Sequence, residues 1–301
     1  MSDMSDQRPR TLSVVIPAFN EADAIGTCLQ ALLSQSPPPT EIIVVDNNSS
    51  DDTARAAAAF GGPQSVVRVV TETRQGVQHA RDRGVAEATG DLIARIDADT
   101  YASAGWVAAI HRFFAVAPDH IGGGYGMMTM HDLPFQKPFA AMQRRLTARV
   151  RSKLHAGSVT VVGEAIGGNC VMRAQVWREV AGKTSRRGDI MEDADLSLTI
   201  RGAGWQFALI PDMTAQTSGR RLASSPRNYW RYTAYSPRTY AMHGRRRAAV
   251  FAAIGIQFAR AAHLLIWAVL LWWDLDEKRF RGRPAGLRKG DRELPSGLRT
   301  D

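Results

Sequence analysis

Cysteine is almost absent from this 301-residue chain, which carries two. Cys28 and Cys170 fit no metal-ligand or redox spacing, so a cysteine-built metal centre and a dithiol motif are excluded. Both are read as buried, reduced, structural thiols. The first ten residues are polar and lack an apolar core, so no secretory signal is expected and a cytoplasmic, reducing setting follows. No internal repeat is apparent. The glycine-rich run Ile121-Gly122-Gly123-Gly124-Tyr125-Gly126 lacks the strand-turn-helix context of a dinucleotide fingerprint. An edge strand or a close backbone approach is expected there instead.

Acidic residues are scarce toward the C-terminus. Residues 219–301 hold 17 Lys and Arg against 6 Asp and Glu, a net of +11. Residues 1–218 hold 21 against 23, a net of −2, which together give the chain its +9. Such asymmetry points to an anionic surface, membrane or nucleic acid. A nucleic-acid module would interleave its Arg with aromatics in a folded unit. Here the Arg clusters flank an apolar run, Ala248 to Trp273, which suits an anionic membrane surface better, and no nucleic-acid partner is expected. That run is of spanning length. Arg260 sits at its middle, and a central Arg is unfavourable in a bilayer by roughly 2.5–3.5 kcal/mol. The favoured reading is an interfacial helix or hairpin with Trp267, Trp272 and Trp273 at headgroup depth. A spanning helix and a buried soluble helix remain open.

Strand and helix signals alternate through the first hundred residues. Leu12 to Ile16, Glu41 to Asp46, Val66 to Val70 and the run before Asp97 read as strands, with helices between them. Asn20 and Asp52 are candidate helix caps. The alternation predicts an α/β domain with a doubly wound, mostly parallel sheet. Ligands of such sheets sit beyond the carboxyl ends of the strands. Asp46 and Asp97 each lie at such an end, so they are expected to face one crevice. Phe135 to Ala156 reads as a basic amphipathic helix. Four regions are expected: a disordered N-terminus (1–10), an α/β domain (11–221), basic and hydrophobic helices (222–273) and a polar, disordered tail (274–301).

Asp97-Ala98-Asp99 closes the apolar run Leu92 to Ile96. Residues i and i+2 of a strand share a face, so the two carboxylates are expected to converge. Like charges that close call for a cation, and Mg²⁺ or Mn²⁺ takes one or two carboxylates while leaving positions for water and substrate phosphates. The plain alternative is an Asx turn. Glu192, Asp193 and Asp195 form a second acidic group at a helix start, where the dipole favours them.

These motifs in this order resemble glycosyltransferase family 2. The residues that carry the resemblance are Val14-Val15-Ile16-Pro17-Ala18-Phe19-Asn20-Glu21, Ile43 to Thr53, Gly76 to Gly84, Asp97-Ala98-Asp99, Gly167-Gly168-Asn169 and Glu192-Asp193-Ala194-Asp195-Leu196. The resemblance implies a GT-A fold with a nucleotide-binding half and an acceptor half, here followed by a hydrophobic helical appendage. It implies an inverting transferase that uses a nucleoside-diphosphate sugar, UDP- or GDP-linked, and a divalent metal. Pro17, Asn20 and Glu21 would line the nucleotide pocket and Asp46 would bind the base or ribose. Arg81 and Asp97 would hold the ribose-diphosphate side. Asp99, with Asp97, would coordinate the metal. Asp193 would take the acceptor hydroxyl's proton, with Glu192 or Asp195 as the alternative base. An Arg in Ser218-Gly219-Arg220-Arg221 would meet the diphosphate, unless that stretch is a plain basic surface.

The Gln-x-x-Arg-Trp motif of processive members is missing; the nearest stretch is Arg227-Asn228-Tyr229-Trp230-Arg231-Tyr232. Transfer of a single sugar is therefore expected. The basic, Trp-rich C-terminal part points to a lipid-linked or cell-envelope acceptor and to a place at the inner face of a membrane, peripheral or single-pass. A nucleotidyltransferase would need a glycine- and base-rich loop after the first strand, where this chain has Pro17-Ala18-Phe19-Asn20-Glu21. An inactive, membrane-tethered scaffold is the non-enzymatic alternative.

Overall fold

The computed structural model describes residues 10–163 and 167–284. The termini expected to be disordered lie outside the described residues at 1–9 and 285–301. The chain opens with β1 (Leu12–Ala18), α1 (Ala22–Leu33), β2 (Glu41–Asp46), α2 (Thr53–Ala58), β3 (Val67–Thr71), α3 (Val77–Glu87) and β4 (Leu92–Ile96). Next come β5 (Tyr101–Ala102), α4 (Trp106–Val116), β6 (Ile121–Tyr125), β7 (Met128–Met130), α5 (Gln136–His155) and β8 (Val161–Val162). They are followed by β9 (Asn169–Arg173), α6 (Ala174–Val180), α7 (Glu192–Gly202), β10 (Gln206–Leu209) and β11 (Ala215–Thr217). The C-terminal part holds α8 (Pro226–Thr233), α9 (Tyr235–Met242), α10 (Arg246–Leu270), β12 (Trp273–Asp274) and β13 (Arg279–Phe280).

The main sheet runs β3-β2-β1-β4-β9-β6-β10-β8. Its first four strands are parallel, as the alternating pattern predicts. Their continuous apolar runs follow from burial on both faces. On one face Val14 and Ile16 pack with Ile25, Leu29 and Leu32 of α1 and with Trp106, Ile110 and Phe113 of α4. On the other, Val15, Ile43 and Val45 pack with Ala80 and Val85 of α3, Val176 and Val180 of α6, and Leu196 and Ile200 of α7. Gly84 brings α3 onto the sheet: a Cβ there would lie 2.3 Å from the Val15 side chain.

The mostly parallel expectation needs correcting in the second half. Strand β9 lies antiparallel to both β4 and β6, and β8 is antiparallel to β10, so the sheet is mixed. Strand β6 is internal rather than an edge, hydrogen-bonded to β9 and β10. Its glycines do mark close approach: a Cβ on Gly123 would meet the Phe207 ring and the Val171 carbonyl at 2.6 Å. A small second sheet, β5-β11-β7, stands beside the end of β4.

Beyond β11 the chain forms three helices. Ser225 caps α8, its hydroxyl accepting from the Asn228 amide, and Pro226 occupies the first turn. Among the described residues, α10 is long and apolar enough to cross a membrane by length and composition. Asp274 to Phe280, expected within a disordered tail, instead folds back as the antiparallel β12-β13 pair. Trp273 stacks edge-on against Phe280 and holds the turn.

Candidate active site

The loops after β1 and β2 are zipped together at the carboxyl end of the sheet. Asn20 adopts a left-handed backbone (φ 53°) and its Oδ1 accepts from the Ser50 amide at 2.8 Å. It therefore ties two loops rather than capping α1. Asp52 occupies the cap position of α2 without a side-chain cap bond; Asp51 accepts from the Thr53 amide instead. Thr53 in turn accepts the Glu21 amide at 2.8 Å. Pro17 lies in β1 opposite Val45. Asp46 ends β2, is buried, and its Oδ1 has no hydrogen-bond partner among the described residues. A buried, unpaired acceptor is costly, and a nucleotide's N–H or ribose hydroxyl would satisfy it. Sequence reasoning missed Asn47, which ties the end of β2 to the 72–76 loop: its Nδ2 donates to the Glu72 and Arg74 carbonyls and its Oδ1 accepts from the Gly76 amide.

The Asp-Ala-Asp motif differs from the strand-end expectation. Strand β4 ends at Ile96, and Asp97 to Asp99 turn away from it, the Thr100 amide donating to the Asp97 carbonyl. The strand periodicity therefore pairs Asp97 with Arg95, not with Asp99; Arg95 Nη2 stands 3.4 Å from Asp97 Oδ1. Asp99 instead meets Arg220, whose Nη2 lies 2.8 Å from Asp99 Oδ2 and 2.7 Å from Glu21 Oε2. Burial opposes the charge on Arg220, but Glu21 and Asp99 raise its pKa above the ordinary value. The stretch around Arg220 is thus part of the site, not a plain basic surface. Asp132 fixes it by accepting from Ser218 Oγ at 2.5 Å and the Gly219 amide at 2.7 Å.

Across from these residues stands the second acidic group. Glu192 and Asp193 occupy the first turn of α7, where the helix dipole stabilises negative charge. Arg95 reaches both, 2.7 Å to Glu192 and 2.9 Å to Asp193. Arg81 is no solvated helix face: it is buried, pairs with Asp82 at 2.9 Å, lies 3.8 Å from Glu192 and stacks over Trp177. Desolvation raises the Asp193 pKa, Arg95 pulls it down, Glu192 pushes it up, and the net shift is upward. The Gly167-Gly168 turn rests on two of the acids. A Cβ on Gly167 would fall 1.8 Å from Asp193 Oδ1, and one on Gly168 2.8 Å from Asp97 Oδ2. Asn169 is structural, bonded to Trp106 Nε1 and the Met213 carbonyl. Asp195 is buried between the Ser185 amide and His243. Arg95 carried a signal that pattern reading passed over: it is a charge inside a five-residue strand buried throughout.

Both cysteines are buried and free. Burial raises their pKa, Cys170 to about 12, and Cys28 is pushed further up by Asp99, Asp97 and Glu21 nearby.

The donor set fits a hard divalent ion. Asp97 and Asp99 would supply carboxylate oxygens; in the structure Asp97 lies by Arg95 and Asp99 by Arg220. Among the described residues no group of three or more His, Cys, Asp and Glu gathers to hold a metal. An ion here would complete its shell from substrate phosphate and water, the usual pattern for Mg²⁺.

Acids beyond the carboxyl ends of β2 and β4, facing an acidic helix start across a mixed sheet, define a glycosyltransferase of the GT-A fold. The chain belongs to glycosyl transferase family 2, whose model matches residues 13–173. A curated relative, the uncharacterized glycosyltransferase YibD of Escherichia coli K12, is 35% identical over 88 residues, 29% of this chain. The chain spans about a quarter (26%) of that relative's length. Among solved structures, the mannosyltransferase PcManGT of Pyrobaculum calidifontis, in complex with GDP-Man and Mn²⁺, superposes with a TM-score of 0.60 at 19% identity, over 88% of this chain and 76% of that one. TarS (residues 1–349) of S. aureus superposes with a TM-score of 0.51 at 14% identity, over 74% and 63%. At these identities the likeness is one of fold.

Proposed function

We propose that the protein is an inverting glycosyltransferase that moves a single sugar from a UDP- or GDP-linked donor to an acceptor hydroxyl. The observation that carries this reading is Arg95. It ties the acids of α7 to Asp97 beside the Asp-Ala-Asp turn, so that a donor's anomeric carbon and an acceptor's hydroxyl could meet in one crevice. Asp46 accepts from the base or ribose. Pro17, Asn20 and Glu21 wall the nucleotide pocket. Asp97 and Asp99 would hold a Mn²⁺ or Mg²⁺, which would offset charge developing on the departing diphosphate. Arg220 moves from Asp99 toward the same diphosphate. Arg81, buried and 3.8 Å from Glu192, holds the ribose-diphosphate side with Asp97. Asp193 takes the acceptor hydroxyl's proton as the hydroxyl attacks in line, and Arg95 keeps the Asp193 carboxylate oriented. A base need only lie within hydrogen-bond reach and have a matched pKa; the raised pKa of Asp193 supports that role.

The acceptor is read as lipid-linked or part of the cell envelope, presented at the cytoplasmic face of a membrane. The basic charge of residues 219–301 and the apolar helix α10 support this. In this reading residues 11–221 are the catalytic unit and 222–273 the membrane-associating one. The test is release of free nucleoside diphosphate from a panel of UDP-, GDP- and dTDP-sugars, with Mn²⁺ or EDTA. Metal-dependent release from one donor, lost in Asp99→Ala, is expected. No release and no donor binding by calorimetry would refute the reading.

A further inference from the structure

Helix α10 presents two unlike faces. Phe251, Phe258 and Leu265 are each 74% exposed, with Ile254 and Val269 completing one outward stripe and exposed Trp272 just past the helix end. The spacing of about three to four residues puts them on one side of a helix. The inward face carries Arg260 and His263, while Gln257 is exposed and bonded to the Ala253 carbonyl. Arg260 Nη2 donates to the Trp230 carbonyl at 2.7 Å, and its guanidinium lies over the Trp230 ring. His263 is buried, stacks on Tyr229 with ring centroids 3.8 Å apart, and meets the Leu222 carbonyl at 3.1 Å. The mid-helix charge that would oppose insertion is thus turned toward protein.

Both ends of α10 return to the catalytic unit. Ahead of it, His243 pairs with Asp195 of α7 at 2.8 Å, and the Met191 amide donates to Thr239 Oγ1 at 2.8 Å. After it, Trp273 Nε1 donates to the Asp132 carbonyl at 2.7 Å. At 25 residues the helix is about 37 Å long, enough to cross a hydrocarbon core of about 30 Å. Crossing would place its ends on opposite sides of the bilayer. Here one domain holds both ends.

We propose that α10 lies flat in the headgroup–acyl boundary of an anionic bilayer and does not cross it. The Phe251–Phe258–Leu265 stripe enters the lipid, and exposed Arg245, Arg246 and Arg247 sit at the phosphates. Charge selects this occupant. The stripe is headed by the three exposed residues Arg245 to Arg247, and at its other end Lys278, Arg279, Arg281 and Arg283 outnumber Asp274, Asp276 and Glu277, with Arg279 paired to Glu277 and Arg281 to Asp274. A second copy of the chain would bring like charges together, whereas anionic headgroups match them. The proposal rests on the membrane partner named above, fixes its geometry, and is independent of the chemistry of the site.

The test adds the full chain to preformed vesicles of phosphatidylcholine, with and without phosphatidylglycerol, and sediments them. Binding should require phosphatidylglycerol, be reversed by high salt, and fall about tenfold or more in Phe251→Asp/Phe258→Asp. Far-UV circular dichroism and the urea midpoint show whether that variant is folded. In parallel, Ala241→Cys and Asp276→Cys report the two sides of α10. Both should react with an impermeant maleimide added outside the vesicles. Protection of either one, absence of binding to the anionic vesicles, or full binding by the double variant would overturn the proposal. No donor sugar enters the assay, so failure here and failure of the transferase reading are distinguishable.

Discussion

Removing Arg95 tests whether the acidic groups are truly joined. The perturbation is Arg95→Met, which keeps length and apolar volume but deletes the guanidinium. Arg95 and Glu192 are 8% and 14% exposed, whereas Asp193 and Asp97 are 34% and 39% exposed. Solvent screens the last two contacts, so they contribute little. The Arg95–Glu192 pair dominates, because its loss leaves a buried carboxylate without its close cation. Breaking a buried pair from one side costs about 3–5 kcal/mol. Arg81, 3.8 Å from Glu192, remains as partial compensation, which places the expected loss near the lower figure, about 3 kcal/mol. That corresponds to a fall in melting midpoint of about 6–12 °C. The pH dependence has a definite sign. Arg95 pulls the pKa of Asp193 down, so without it Asp193 protonates more readily in the folded state, which relieves part of the uncompensated charge. The deficit should therefore narrow as pH falls from about 7.5 toward about 5. Urea unfolding followed by tryptophan fluorescence at both pH values measures it. A loss under about 1 kcal/mol, the range of an exposed pair, or a deficit that grows toward acid, would refute the reasoning. Arg95→Lys should recover only part of the loss, since it restores the charge but not the fork.

Two further outcomes concern the site itself. Gly167→Ala places a methyl where Asp193 Oδ1 now lies; kcat should fall by about 10²-fold, the effect of a displacement near 1 Å, with donor KM and circular dichroism unchanged. The pKa of Asp193 stands above the 3.8 of an ordinary aspartate, so kcat/KM should rise with pH through an acidic limb displaced above that value. Asp193→Asn should remove that limb and lower the rate about 10²–10⁴-fold; an unchanged profile would pass the role to Glu192.

The donor half was legible because its signals are local. Each strand of β1 to β4 is an apolar run bounded by its own turn, and parallel neighbours follow one another in the chain. The second half depends on partners far apart in sequence. Ile96 pairs with Asn169 and Gly123 with Met172, and no periodicity within β6 or β9 encodes that. The glycines of β6 were recognised as a close approach, but which backbone approaches is a tertiary fact. For the candidate site, motif order singled out Asp46, Asp97, Asp99 and Asp193. The spacing argument for Asp97 and Asp99 failed because β4 stops at Ile96, three residues short of Asp99, and the side chain two residues before Asp97 that meets it is Arg95. Arg220 could be named only as one of two readings, because nothing local says that Asp132 will fold its loop over Asp99.

The insertion of β9 between β4 and β6 has a consequence for how the chain folds. Until residues 169–173 have been made, β4 is the open edge of a four-stranded parallel sheet. An unpaired apolar edge is a template for pairing with another chain, and such edges are commonly blunted by a charge. Within Leu92–Ile96 that charge is Arg95. The guanidinium that ties Glu192 and Asp193 to Asp97 is thus also the one charge this edge carries before either acid has been made.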